Sequence, residues 1–87
     1  MRSDKEEALR RLAYIEGHLR GIRKMVAEDQ YCVDILKQTY AVKGALNKFD
    51  ALLLRGHLDG CVREGFAEGR ADQVVDELNN LFELYRK

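Results

Sequence analysis

Apolar residues recur every three or four positions along almost the whole chain, and no stretch alternates apolar with polar. That is the period of helices buried along one side, so the pattern predicts an all-α protein with three helices. The first spans roughly residues 4–28, with Ala8, Leu12, Ile15, Leu19, Ile22 and Val26 in one stripe. Ser3 followed by Glu6 reads as a capping box at its start. Gly17 and Gly21 interrupt its propensity but not its pattern. The second, about 30–63, follows Asp29 as N-cap. Cys32, Ile35, Thr39, Val42, Leu46, Phe49 and Leu53 give it the seam of a helix that faces another helix. Gly56, Gly60 and Gly65 weaken its end, and residues 64–69 are expected to form a loop. The third, about 71–85, buries Ala71, Val74, Leu78, Leu81 and Tyr85, with Val75 and Phe82 alongside. Proline is absent and no repeat or linker interrupts the chain, so residues 1–87 read as one domain.

Eighty-seven residues make a thin core, and chains of this size often borrow burial from a partner. Fifteen basic and fifteen acidic side chains cancel, so bulk charge argues for neither nucleic acid nor membrane. Residues 1–50 carry ten basic and eight acidic groups, a slight bias only. No apolar run reaches the length of a membrane span, and the charged start does not resemble a secretory signal. A cytoplasmic protein is expected. Thiols there stay reduced, so its two cysteines suit ligands, a redox sensor or plain core packing better than a structural disulfide.

Those cysteines stand at 32 and 61, with His57 four residues before the second. On one continuous helix Cys32 and His57 would be about 37 Å apart, yet within about 20° of the same bearing, with Cys61 about 20° to the other side. An antiparallel pairing of this helix with its own copy, about an axis near Ala45 and Leu46, sets Cys32 of one chain against His57 and Cys61 of the other. A two-fold axis then makes two such sites. Two thiolates and an imidazole form a soft set that favours Cu(I) or Zn(II). Structural zinc asks for a fourth protein ligand, which is not evident here, whereas three suffice for Cu(I). The same thiols also suit an interchain disulfide or persulfide.

Three stretches carry a family resemblance: RLAYIEGHLRGIRKMV at 11–26, DQYCVDILKQTYAVKGAL at 29–46 and HLDGC at 57–61. Together with the spacing Cys-x24-His-x3-Cys they resemble the copper-sensing repressors of the CsoR family, over nearly the whole chain. The resemblance implies an antiparallel four-helix bundle formed by a homodimer, with dimers pairing into a homotetramer. It implies Cu(I) held by Cys32 of one chain and His57 and Cys61 of another, with Tyr31 and Glu77 behind the ligands. It implies an apo protein that grips operator DNA and lets go when Cu(I) binds, freeing copper efflux genes. Arg11 and Lys48 match DNA-contact positions. Lys48 keeps the charge found there but not the planar fork of the arginine common in the family. Arg10, Lys37 and Lys43 are further basic candidates. Without a helix-turn-helix or zinc finger, contact would fall mainly on phosphates and weaken steeply with salt.

Departures from the family's other branches narrow the reading. Nickel/cobalt sensors add an N-terminal histidine and formaldehyde sensors an N-terminal proline, and Met1-Arg2-Ser3 offers neither. Persulfide sensors lack a histidine at position 57. A persulfide-sensing repressor of the same fold, and a copper-buffering helical protein with no DNA role, stand as alternatives. No arrangement of nucleophile and base, and no phosphate loop, points to an enzyme.

Overall fold

The computed structural model of the protein describes residues 5–86. Those residues contain no strand. In order they form α1 (Lys5–Ala27), α2 (Cys32–Gly56), a π-helical segment (His57–Val62), α3 (Arg63–Ala67) and α4 (Ala71–Tyr85). The chain divides after Leu54 into two compact units. The proposed capping pair cannot be followed, because Ser3 lies outside the described residues.

In the first unit α1 and α2 run antiparallel. Arg10, Arg11, Tyr14 and Ile15 share a groove with Ala41, Ala45 and Lys48, and further along α1 His18 meets Gln38, earlier on α2. Ala8, Ile15 and Val42 are buried between the helices, while Leu12, Ile22, Ile35, Thr39, Phe49 and Leu53 are half-buried. The predicted stripes are wider than this interface. Leu19 and Val26 of α1 remain exposed, as do Cys32 and Leu46 of α2 with Leu36 and Tyr40 beside them. The seam predicted for α2 therefore splits: most of it faces α1, and one edge stays uncovered. Apolar residues on more than one side of a helix mean that one neighbour cannot bury them all.

Asp29 does not cap α2. It sits at φ 54°, in the left-handed region, and closes α1 instead. The Gln30 amide donates to the Met25 carbonyl at 3.0 Å and the Asp29 amide to the Val26 carbonyl at 3.1 Å. These are the 6→1 and 5→2 bonds of a Schellman stop. Aspartate tolerates this conformation better than most residues, which is why one side chain type can suggest either end of a helix. The second helix accordingly begins later than expected, at Cys32, with the Tyr31 carbonyl accepting the Asp34 and Ile35 amides.

The second unit corrects the expected loop at 64–69. Residues Arg63–Ala67 are helical, and only 68–70 turn. The stop repeats the first: Arg70 donates to the Gly65 carbonyl at 2.7 Å and Gly69, at φ 78°, to the Phe66 carbonyl at 3.3 Å. Gly65 is buried against Val74 of α4, and a Cβ added there would overlap Val74 Cγ2. Val62 and Val74 form the buried centre, with Ala71, Leu78 and Leu81 half-buried. Val75, Phe82 and Tyr85 of the predicted inner face are exposed.

The two stops give opposite expectations. Gly69→Ala forces a side chain into the left-handed region and should cost about 1–2 kcal/mol. Asp29→Gly removes that strain and should leave thermal stability equal or higher, the gain being trimmed by glycine's greater unfolded freedom. Melting of both variants by circular dichroism checks the pair, and a lower melting point for Asp29→Gly would contradict the strain assigned to Asp29.

Candidate metal centre and nucleic-acid interface

Cys32 is the first residue of α2, and Cys61 lies within the π-helical segment; both are free and exposed. His57 opens that segment and is half-buried. None of the three is buried within one chain. A π-helix pairs each amide with the carbonyl five residues back, and single π turns inside helices occur often at functional sites. His57 and Cys61 therefore share a wider turn than the α-helical spacing assumed. Nothing in the apolar pattern announces this turn, although Gly56 and Gly60 lie at and within it.

Tyr31 is exposed immediately before Cys32, and its carbonyl starts α2. Glu77 is exposed on α4, and no hydrogen bond joins it to His57 among the described residues. Among those residues no three His, Cys, Asp or Glu side chains come together as a metal-binding group. One chain's described residues thus do not gather a three-ligand site.

The basic candidates separate into those that converge and those that do not. Arg10, Arg11 and Lys48 line one groove of about 330 Å³, with Tyr14, Ile15, Ala41 and Ala45 between them. Both arginines pair with Glu7, Arg11 through Nε at 2.9 Å. Lys48 makes no ion pair among the described residues. Lys37 lies eleven residues before Lys48, about three turns away on nearly the same bearing. Lys43 is rotated about 140° from Lys48 and does not line the groove. Sequence reasoning passed over Tyr14, which lines this groove, and His18 and Gln38 beside it; the His18–Gln38 pairing joins residues twenty apart on two helices and has no local signature.

Comparison with known proteins decides the family. The sequence profile described as metal-sensitive transcriptional repressor matches residues 4–84. The chain belongs to that family. Copper-sensing transcriptional repressor CsoR of Bacillus subtilis (strain 168) is 39% identical over 84 residues, covering 97% of this chain and 83% of that protein. CsoR of Mycobacterium ulcerans is 40% identical over 74 residues, and there the match spans only 63% of the relative's length. Among solved structures, copper-sensing repressor CsoR with Cu(I) from Geobacillus thermodenitrificans superposes with a TM-score of 0.93 at 36% identity, covering 100% of this chain and 91% of that one. The nickel-responsive transcriptional regulator InrS gives 0.79 at 34% identity, covering 98% and 96%. The family resemblance and the all-α fold read from the sequence are both borne out. Members of this metal-sensitive repressor family are regulators, not enzymes.

Proposed function

We propose that this repressor responds to Cu(I), binding operator DNA as the apo protein and releasing it when Cu(I) occupies a site built from Cys32 of one chain and His57 with Cys61 of another. The observation that carries the reading is the disposition of the three donors. They are exposed or half-exposed, and two thiolates with one imidazole are a donor set suited to a soft ion. Two thiolates and one imidazole suit Cu(I) better than nickel, although a nickel-responsive relative shares the fold. When bound, Cu(I) supplies a three-coordinate link between chains. The apolar edge of α2, with Leu36, Tyr40 and Leu46 exposed beside Cys32, gives a second copy something to cover. Such pairing is isologous, and dimers of this kind can pair again into tetramers. Tyr31 and Glu77 are the oxygen-bearing groups assigned to orient the His57 ring, as ligating histidines require. Among the described residues no helix is long and apolar enough to cross a membrane. A cytoplasmic site of action suits a protein that must meet both DNA and reduced copper.

DNA is assigned to the groove of Arg10, Arg11 and Lys48, with Lys37 extending the same flank. The test is anaerobic fluorescence anisotropy with a labelled duplex from upstream of the gene. Apo protein should bind, and about one Cu(I) per chain should release it. His57→Ala should bind DNA but resist release; if it lets go at the same Cu(I) level, the role given to His57 is wrong. Lys48→Ala should weaken binding and reduce the salt slope by about 1 for each phosphate it no longer holds. An unchanged slope would move the DNA surface elsewhere.

A second reading is favoured by the exposure of both thiols: a persulfide or redox response on the same fold. It requires a Cys32–Cys61 crosslink between chains after treatment with a polysulfide, visible on a non-reducing gel. A gel without that dimer discards it.

A further inference from the structure

Tyr14 follows Arg10 by four residues and Arg11 by three, so helical register sets it beside both on α1. It lines the same groove as they do, with Lys48 reaching in from α2. The ring is 67% exposed. One turn further along α1, His18 meets it edge-on, with centroids 6.0 Å apart and ring planes at 78°. That is the favoured arrangement of an edge-to-face pair. His18 Nε2 in turn donates to Gln38 Oε1 of α2 at 2.7 Å. The ring is thus steadied by a neighbour that is itself tied to the second helix. The Tyr14 hydroxyl, by contrast, has no partner among the described residues. Nor does a carboxylate line the groove. A ligand that suits three cations and an unused O–H brings negative charge and hydrogen-bond acceptors together, and a backbone phosphate has both.

We infer that Tyr14 is a further contact to the duplex, its hydroxyl donating to a phosphate oxygen beside those held by Arg10, Arg11 and Lys48. This rests on the DNA reading above. Tyrosine is among the side chains that bind phosphates and so set a protein's register on a duplex. An uncharged donor differs from its cationic neighbours in one measurable respect. It neutralises no phosphate and releases no counterion, so it adds affinity without adding to the salt dependence.

Titrations of the same labelled duplex at several salt concentrations separate the two kinds of contact. Tyr14→Phe keeps the ring and its packing on His18 and removes only the hydroxyl. Affinity should fall about fivefold for each Tyr14 that meets a phosphate. The factor should be the same at every salt concentration, leaving the slope of log affinity against log salt unchanged. Equal affinity of Tyr14→Phe and wild type overturns the contact. So does a loss accompanied by a shallower slope, because a cation would then have been displaced. A second readout leaves the hydroxyl in place. Fluorotyrosine at all four tyrosines gives fluorine NMR signals, of which that of Tyr14 is the one missing from Tyr14→Phe. An uncharged gadolinium chelate should broaden this signal in the free protein and spare it in the complex. Equal broadening with and without duplex also overturns the contact. Salt-sensitive binding in which Tyr14 fails either test defeats this inference alone. No salt-sensitive binding defeats the DNA reading and the inference together.

Discussion

Mixing a Cys32→Ala chain with a His57→Ala/Cys61→Ala chain should restore Cu(I) binding that neither holds by itself. In the arrangement proposed, each homodimer of either variant has two incomplete sites. A mixed dimer has one site missing all three ligands and one with Cys32, His57 and Cys61 all present. Co-refolding the two variants and titrating with Cu(I) against a competing chelator measures the recovery. The contrast is large because a site reduced to a single thiolate, or to one thiolate and an imidazole, loses the closed three-donor set that holds a soft ion. No recovery, from chains shown by mass to have exchanged, would place the ligands within one chain and end the intersubunit reading. Recovery with DNA release would further show that one filled site per dimer is enough to loosen the grip.

Gly65→Ala should lower stability although it improves helix propensity. In a helix interior the exchange from glycine to alanine is worth about 1 kcal/mol in alanine's favour. Here the new methyl overlaps Val74, which is only 4% exposed and has nowhere to retreat. Overpacking of this kind costs about 1–3 kcal/mol, enough to exceed the propensity gain. In a domain of this size that corresponds to several degrees of melting temperature. The cause is separable. Val74→Ala makes the room that Gly65→Ala needs, so the double variant should be less destabilised than the two single changes added together. Additive losses would mean that the glycine is there for some reason other than the close approach of α3 and α4.

That glycine also shows where sequence reading succeeds and where it stops. Periodicity located α1, most of α2 and α4, because each buries a stripe long enough to repeat several times. It misread residues 64–69 as one loop because two glycines four apart serve different ends. Gly69 is needed for its left-handed backbone, whereas Gly65 is helical and small because Val74 occupies the space a side chain would take. Asp29 misled for a related reason: a short polar side chain suits both a helix start and a left-handed stop. Of the candidate site, the identities and spacing of Cys32, His57 and Cys61 were plain in the chain. The π turn that carries two of them was not, since it widens the backbone without changing which residues are apolar. The meeting of Arg10, Arg11 and Lys48 depends on how α1 lies against α2, and only the folded hairpin brings it into view.

The two Schellman stops, at Asp29 and Gly69, are made entirely of bonds between residues three to five apart. Such bonds ask for almost no loop closure, so the chain can learn where its helices end before it meets any other chain. Local helix and turn events run on the scale of microseconds or faster, whereas subunit assembly takes milliseconds to minutes and depends on concentration. If the chains pair as proposed, dilution should slow only the later phase of refolding, while the helix stops set an early phase that does not depend on concentration.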